Sequence, residues 1–465
     1  MTLAERPRRR PRRHARWFWP AVIWILALGV AAATWVVRVP LTEAMDADPT
    51  VGSGRLEARE TGTVPAAVLD ALPDARPIDP DVLAARLAAI PNPGGGDIVG
   101  VVLDGRTGTE LTRLGAGGTR TPASSMKVLS GVVALDVLGP GTTFPTTALL
   151  APDGSLVLRG GGDPLLTSST SPDYPHPASL EQLAAATAAA LTRRGVTQVR
   201  LGYDASLFGG PGWNPAWPDI FASSVAPITA LTADHARIAP PSYERSPDPA
   251  RFAAERFADA LRAHGVEVTA IDPMTTPAGA DELAHVDSLP VRTLVEQSLT
   301  NSDNDAAETL AWQVALARGV QPTPSSAAAT LRTELTRLGL WSDGMAALDG
   351  NGIATDNQVT PDALAGAIEL GLQRDDLRAV ITGLPVGAVS GTLAERFEAP
   401  DALAGRGTVR AKTGTIRGVN TLTGYVVTTD GQPLVFAFMV SGGAGQTSAR
   451  AWLDQASATL ASCGC

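Results

Sequence analysis

The amino-acid sequence predicts an α/β chain of the α+β type, in which one domain is inserted into another and a transmembrane helix precedes both. Three features of the 465 residues support this prediction. An uncharged apolar run lies near the N-terminus, helical and hairpin-like runs alternate at both ends of the remaining chain, and the middle changes to short strands between Gly/Pro-rich turns. At about 150 residues per domain, this length suffices for two or three domains.

The apolar run is residues 17–37, and a helix of this length, rising about 1.5 Å per residue, spans the hydrocarbon core of a membrane. Residues 1–16 contain seven arginines, which predicts a cytoplasmic basic tail and an extracytoplasmic body. Three alanines at 31–33 offer a cleavage site, so secretion after removal of a signal peptide is the alternative. Because the run continues past those alanines, we favour an uncleaved single-pass anchor in the cell membrane.

The rest of the chain divides into a linker and two predicted domains. Residues 38–80 are rich in Pro, Asp, Ala and Gly without a sustained period, which predicts an extracytoplasmic linker. The main domain is predicted at 81–144 and 289–465, with the inserted domain at 145–288. The elements expected from periodicity are helices near 79–90, 124–138, 179–195, 290–318, 325–339, 360–372 and 448–460, and strands near 98–104, 109–114, 155–158, 197–201, 408–416, 422–427 and 434–440.

Composition narrows the possible partners. The net charge is −10, and the chain after the basic tail is more acidic still, which excludes nucleic acid because phosphate binding needs basic patches. The two cysteines, Cys463 and Cys465, lie two positions apart, where they would close only a strained ring, so we expect a frayed C-terminus. The five histidines show no paired spacing, and neither a metal nor an organic cofactor is expected.

Lysine is almost absent from the chain. Of 37 basic residues, only Lys127 and Lys412 are lysines. Arginine stays protonated, whereas a buried lysine can lose its proton and act as a base. A GC-rich genome also depletes lysine, so the meaning of these two residues depends on the motifs in which they lie.

Lys127 lies three residues after Ser124 at the start of a predicted helix. This spacing puts both side chains on one face, near the positive end of the helix dipole. A serine hydroxyl becomes a nucleophile when a neighbouring base accepts its proton, and a desolvated lysine can be that base. The structural alternative is an N-cap serine beside a surface lysine.

A Ser-x-Asn triplet, Ser302 and Asn304, opens another predicted helix, and helix capping explains this triplet equally well. Its significance comes from the order of the motifs along the chain. The triplet follows the Ser-x-x-Lys motif and precedes a third motif, Lys412-Thr413-Gly414, which contains the other lysine of the chain. The order Ser-x-x-Lys, Ser-x-Asn, Lys-Thr-Gly resembles the signature of penicillin-binding proteins and serine β-lactamases.

The third motif begins at Lys412 on a predicted strand and continues through Thr413, Gly414 and Thr415. A glycine in a strand suits the close approach of a backbone to a ligand. The lysine and the hydroxyls offer donors for a substrate carboxylate. An edge strand that ends in a glycine turn is the alternative.

The chain therefore resembles the penicillin-binding proteins, and more narrowly the D-Ala-D-Ala carboxypeptidase/endopeptidase family typified by penicillin-binding protein 4. The resemblance covers about residues 85–460. Besides the three motifs, the segments similar to that family are 122–127, 160–164, 301–308, 349–352 and 390–393. The resemblance implies a β-lactamase/transpeptidase-like domain, with a five-stranded antiparallel sheet flanked by helices, and an extra domain inserted between the first two motifs.

The family resemblance also implies a reaction and its residues. Peptidoglycan peptides ending in D-Ala would be the substrate, and β-lactam antibiotics would acylate the same serine, Ser124, for which Lys127 would be the base. Ser302 would relay a proton to the leaving amine, and Asn304 would orient Lys127 and the substrate amide. Lys412 would fix the terminal carboxylate together with the motif threonines, and the backbone N–H groups of the nucleophile and of the second threonine would form the oxyanion hole.

Two positions bear on substrate specificity. Asp163 lies in the Gly-rich turn at 160–164, where it either satisfies local N–H groups or, as the resemblance suggests, contacts the free amine of a diaminopimelate side chain. Thr355 stands where the family often carries an arginine. The insertion is also shorter than is usual in the family.

Two other functions would use the same fold. A serine β-lactamase shares the three motifs, but the sequence shows no Glu-x-x-Leu-Asn segment and has a large insertion. A non-catalytic wall-binding protein would not need the motifs to be intact. A hydrolase with an acyl-enzyme is therefore the prediction.

Overall fold

The computed structural model describes residues 77–92, 94–239, 242–443 and 445–465. The predicted basic tail, transmembrane helix and nearly all of the predicted linker lie outside these ranges. Within them, no helix combines the length and the apolar character that crossing a membrane requires.

The elements of this part of the chain follow the predicted order closely. The strands are β1 (Asp97–Asp104), β2 (Glu110–Leu114), β3 (Pro145–Leu150), β4 (Leu156–Arg159), β5 (Gln198–Asp204), β6 (Glu267–Pro273), β7 (Asp281–Asp287), β8 (Arg410–Ile416), β9 (Val419–Val427) and β10 (Pro433–Ser441). The α-helices are α1 (Pro80–Ala88), α2 (Met126–Leu138), α3 (Leu180–Arg193), α4 (Pro249–Ala263), α5 (Val291–Thr300), α6 (Asn304–Ala317), α7 (Pro324–Arg337), α8 (Pro361–Gln373), α9 (Ala379–Thr382) and α10 (Gln446–Ala461).

The first sheet has the strand order β2-β1-β10-β9-β8, and every neighbouring pair is antiparallel. Its central strand, β10, is buried along almost its whole length because helices cover both faces of the sheet. Side chains that alternate along β10 therefore enter two different cores. Val435, Ala437 and Met439 join one core, and Leu434, Phe436, Phe438 and Val440 join the other.

Helix α2 lies in the middle of the larger core and carries the first motif at its N-terminus. Ten of its thirteen residues are buried, which fits a helix that is apolar on all sides. It contacts α5, α6 and α8, and α8 in turn contacts β1 and β10. The helix ends at Gly139, whose φ of 82° lies in the left-handed region, and Pro140 follows. The packing therefore fixes the start of α2 next to the sheet.

The second sheet is formed entirely by strands between residues 145 and 287, in the order β6-β5-β4-β3-β7. It is mixed, because β4, β5 and β6 pair in parallel while β3 is antiparallel to both of its neighbours. Helices α3 and α4 share a hydrophobic core with this sheet. The predicted insertion thus has a sheet and a core of its own, and the domain bounds stay predictions.

The C-terminus differs from the expectation of a frayed end. Cys463 and Cys465 form a disulfide, and Cys463 is fully buried in the core that contains α10. The backbone N–H of Asp79 donates to the carbonyl oxygen of Cys465 at 2.9 Å. The end of the chain is therefore held against the segment that leads into α1, a long-range contact that local spacing does not reveal.

Candidate active site

Three segments meet at the N-terminus of α2, and Lys127 lies at their junction. Its Nζ atom donates to Ser124 Oγ at 3.0 Å, to Asn304 Oδ1 at 2.7 Å and to the carbonyl oxygen of Asn351 at 2.6 Å. The side chain is only 1% exposed, which excludes the surface-lysine alternative. The structure therefore brings the first two motifs into direct contact.

The buried position of Lys127 changes its acid–base behaviour. Desolvation lowers the pKa of Lys127 from 10.5 to about 8, although the charges of Asp349, Asp303 and other buried acids oppose this shift. The amine is thus partly neutral near physiological pH. A neutral Nζ at 3.0 Å from a hydroxyl can accept its proton.

Of the two neighbouring serines, only Ser124 presents its hydroxyl to a cavity. No side-chain cap bond forms at this end of α2, so the N-cap alternative for Ser124 does not hold. Ser125 is fully buried, and its Oγ lies 2.7 Å from Thr421 Oγ1. The residue before them, Ala123, has a φ of 48°, a strained left-handed conformation for a residue with a side chain.

The loop 349–352 supports both the nucleophile segment and Lys127. Its Asp349 carboxylate accepts hydrogen bonds from two backbone N–H groups of the same loop region and from Asn357 and Trp217. Gly352 has a φ of 83°, and a Cβ there would lie 1.9 Å from the carbonyl oxygen of Ala123. Only glycine fits this approach. The family resemblance marked this loop, but we had not predicted its contact with Lys127.

The Ser-x-Asn motif lies at the junction of α5 and α6. Asp303 is the N-cap of α6, because its carboxylate accepts a hydrogen bond from the Ala306 N–H at 3.0 Å. Ser302 is therefore free of the capping role, and its φ of 56° turns the chain sharply between the two helices. Asn304 donates from Nδ2 to the carbonyl oxygen of Ser224 at 3.0 Å, which ties the junction to the insertion.

Lys412 links β8 to this junction. Its Nζ donates to Ser302 Oγ at 3.0 Å and to the carbonyl oxygen of Thr413 at 2.7 Å, and its side chain is fully buried. Burial, together with the charge of Lys127, holds the pKa of Lys412 well below its usual value. Lys412 does not line the cleft described below, so a substrate carboxylate there would meet other donors first.

Gly414 is required by a close approach, but its partner is the protein and not a ligand. A Cβ at this position would lie 2.1 Å from Thr421 Oγ1 and 2.6 Å from the carbonyl oxygen of Pro122. Strand β8 therefore packs directly against the segment that precedes Ser124. This contact sets the distance between the first and third motifs.

A cleft of about 240 Å³ opens over these residues. The cleft is lined by seven residues: Ser124, Ser302, Thr392, Arg396, Thr413, Thr415 and Arg450. Four hydroxyl-bearing motif residues and two guanidinium groups therefore face one space, a combination that suits a carboxylate-bearing ligand.

Sequence reasoning missed the two arginines of the cleft. Arg396 makes a two-pronged ion pair with Asp454 of α10, with atoms as close as 2.7 Å. Arg450 forms no ion pair with any part of the chain that the structure describes. Arg396 follows the segment 390–393 that resembles the family, but Arg450 lies in the last helix with no local signal.

The two positions considered for substrate specificity, Asp163 and Thr355, are not among the residues that line the cleft. Asp163 is 3% exposed, accepts the Leu165 N–H at 2.9 Å and is not among the residues that line the cleft. Burial raises the pKa of Asp163 to about 7. This placement favours the turn interpretation over a substrate contact. Thr355 is exposed, and its carbonyl oxygen accepts a hydrogen bond from Thr121 Oγ1 at 3.0 Å.

A histidine and two aspartates cluster behind the Ser-x-Asn motif, and their potential ligand atoms lie within 4.8 Å of one another. His235 Nε2 lies 3.5 Å from Asp303 Oδ2, and Arg245 Nη1 lies 3.0 Å from Asp305 Oδ2. The charge of Asp303 raises the pKa of His235 to about 9, so the imidazole is protonated near neutral pH. In this state the imidazole, Arg245 and the two carboxylates form an ion-pair network.

A family model and two similar curated proteins relate this chain to carboxypeptidases. The model of the D-Ala-D-Ala carboxypeptidase 3 (S13) family matches residues 83–247 and 240–462. Carboxypeptidase DacB of Mycolicibacterium smegmatis is 34% identical over 95% of this chain and 97% of its own. A carboxypeptidase of Mycobacterium tuberculosis is 32% identical over 90% of this chain and 89% of its own.

Among solved structures, penicillin binding protein 4 from Haemophilus influenzae has a TM-score of 0.67 at 19% sequence identity. The match covers 83% of this chain and 98% of that chain. At this identity the likeness concerns the fold, and it confirms the predicted transpeptidase-like architecture of an antiparallel sheet flanked by helices.

Proposed function

The chain belongs to the D-Ala-D-Ala carboxypeptidase 3 (S13) family and is a serine-type D-Ala-D-Ala carboxypeptidase, and we propose that Ser124 is its nucleophile. The observation that carries the proposal is the 3.0 Å hydrogen bond between Lys127 Nζ and Ser124 Oγ, made by a buried amine. The lowered pKa of Lys127 gives that amine the capacity to accept the proton of Ser124.

In the proposed acylation step, Ser124 Oγ attacks the carbonyl carbon between two D-alanines while Lys127 accepts its proton. The backbone N–H groups of Ser124 and Thr415 stabilise the oxyanion, a contribution of about 3–4 kcal/mol per donor in other enzymes. The C–N bond then breaks as the leaving amine takes up a proton through Ser302. Water hydrolyses the resulting ester and restores the free enzyme.

Substrate binding uses the other side of the cleft. The hydroxyls of Thr413 and Thr415 line the cavity, and Arg450 lies at the same cavity with its charge unpaired among the described residues. We assign the terminal carboxylate of the substrate to these groups. Lys412 supports them indirectly, because it bonds the Thr413 carbonyl oxygen and Ser302.

The substrate is proposed to be peptidoglycan peptides ending in D-Ala, cleaved at the chain end or, as an endopeptidase, at a cross-link. Penicillin is proposed to acylate the same serine. We also propose that residues 17–37 anchor the protein in the membrane with the catalytic body outside, for which the apolar run and the preceding arginines are the support. Protease added to intact spheroplasts should then digest the body.

The test of the enzyme is covalent labelling of the full chain by a fluorescent penicillin. Stable labelling, together with release of D-alanine from a D-Ala-D-Ala peptide, is the expected result. Rapid loss of the label would instead indicate a β-lactamase. No labelling and no release would indicate a non-catalytic wall-binding protein.

A further inference from the structure

A second cavity, of about 350 Å³, is lined by the Ser-x-Asn motif and by residues of the insertion. It shares Ser302 with the catalytic cleft, so the two cavities adjoin at a motif residue. The insertion supplies the opposite wall, including His235, Arg237, Tyr243 and Arg245. The proposed mechanism makes no use of this cavity.

The negative charges of the cavity are already neutralised by the protein. Arg245 and Asp305 form an ion pair at 3.0 Å whose side chains are 6% and 7% exposed. His235 lies 3.5 Å from Asp303. Three cations therefore face two carboxylates, and the surplus positive charge is that of Arg237.

Arg237 has no acceptor within the described part of the chain. Its guanidinium makes no hydrogen bond or ion pair there, and its Nε atom is buried without a partner. The Arg237 guanidinium lies over the ring of Tyr243, with Cζ 5.8 Å from the ring centroid. A desolvated donor without an acceptor is costly for the folded protein, so a ligand acceptor would relieve that cost.

We propose that this second cavity binds a carboxylate group of the peptide substrate through Arg237. The guanidinium offers the paired donors that a carboxylate accepts in a two-pronged manner. The inference rests on the proposed function, because it is the shared Ser302 that places this carboxylate on the same peptide as the bond being cut. The carboxylate lies either on the acyl part of the substrate or on the leaving strand of a cross-link.

The test compares Arg237→Gln with the wild type and with Arg193→Gln, an exposed arginine of α3 that removes the same charge from the insertion. Two pairs of D-Ala-D-Ala peptides are used. In each pair, one peptide has a free side-chain carboxylate and the other has the corresponding amide. One pair carries that group before the scissile bond, and the other carries it on the leaving strand.

We expect Arg237→Gln to raise KM about tenfold for the carboxylate peptide of one pair, with kcat, the amide peptides and penicillin acylation unchanged. The affected pair identifies the side on which the carboxylate lies. Arg193→Gln should change nothing, and Arg237→Lys should recover part of the loss. Equal loss on carboxylate and amide peptides, or no loss on either pair, overturns the proposal.

Binding to inactive protein separates this inference from the proposed function. In the Ser124→Ala background, titration calorimetry with the same peptides should show an affinity about tenfold weaker for Arg237→Gln, and only for the carboxylate member. If Arg237→Gln in this background binds the carboxylate peptide as tightly as Ser124→Ala alone does, the inference is overturned, whether or not the wild type turns over substrate. Absence of penicillin labelling in the wild type would overturn the proposed function alone.

Discussion

The Nζ atom of Lys127 lies 3.0 Å from the Oγ atom of Ser124, and the same amine donates to Asn304 at 2.7 Å. One buried lysine therefore contacts both the residue that it would deprotonate and the residue that orients it. Ser125, one position further on, has its hydroxyl bonded to Thr421 in the interior. This geometry gives the two neighbouring serines different roles.

We predict that Ser124→Ala abolishes penicillin labelling, whereas Ser125→Ala leaves it largely intact. Only Ser124 has a hydroxyl that both faces the cleft and contacts a base. Loss of the Ser125–Thr421 hydrogen bond should cost about 1 kcal/mol of stability. Gel fluorescence after labelling and a thermal melt of each variant check both statements, and persistent labelling of Ser124→Ala would refute the assignment.

We predict that the rate of penicillin acylation rises about tenfold per pH unit up to about pH 8 and then levels off. Because the pKa of Lys127 is lowered to about 8, the amine is protonated below that pH and cannot accept a proton. Lys127→Arg should be nearly as inactive as Lys127→Ala, since arginine keeps its proton. Stopped-flow acylation across this pH range tests both, and a rate independent of pH would contradict the role of the lysine.

We predict opposite outcomes for the two cleft arginines. Arg450→Gln should raise KM about tenfold for peptides with a free terminal carboxylate and leave the melting temperature unchanged, because Arg450 lines the cleft but forms no ion pair with any described residue. Arg396→Gln should destabilise the protein by about 3 kcal/mol, since it leaves the buried Asp454 without its partner. Steady-state kinetics and urea unfolding distinguish them. Unchanged kinetics in Arg450→Gln would remove this residue from the binding site.

We predict that Gly352→Ala lowers the acylation rate at least tenfold. The new Cβ would lie 1.9 Å from the carbonyl oxygen of Ala123, so the segment bearing Ser124 must move. Gly95→Ala is the matched control, because Gly95 has a similar φ of 80° but nothing within 4 Å of a Cβ. The control separates the backbone cost of alanine from displacement of the nucleophile. Equal behaviour of both variants would show that the contact is unimportant.

We predict that His235 stabilises the protein at neutral pH but not at alkaline pH. Its pKa is raised from 6.5 to about 9, chiefly by Asp303, so its contribution is fully present below about pH 6.5 and is lost as the pH rises through about 9. Wild type should exceed His235→Gln by on the order of 1 kcal/mol near pH 6. The difference should vanish near pH 10 in paired urea titrations. A difference that is constant with pH would show that the ion pairs contribute nothing.

Local sequence patterns predicted most of the main domain. Helix α2 was predicted as a run ended by Gly139 and Pro140, and the hairpin of β9 and β10 because two strand-like runs flank an Asp-Gly turn. Strands β3, β6 and β7 and helix α4 were not predicted. β6 and β7 bury few side chains, so their sequences carry little of the alternation on which a strand prediction depends.

The sequence by itself determined which residues have the chemistry for the reaction, because the three motifs contain both lysines of the chain. Tertiary structure decided what those residues can do. Lys127 and Asn304 are 177 positions apart, and only the packing of α2 against α6 makes their 2.7 Å bond and removes the lysine from water. The same packing buries Asp163 and leaves Arg237 without an acceptor in the described chain. Burial and pairing depend on contacts between distant segments, and no local pattern of residues specifies them.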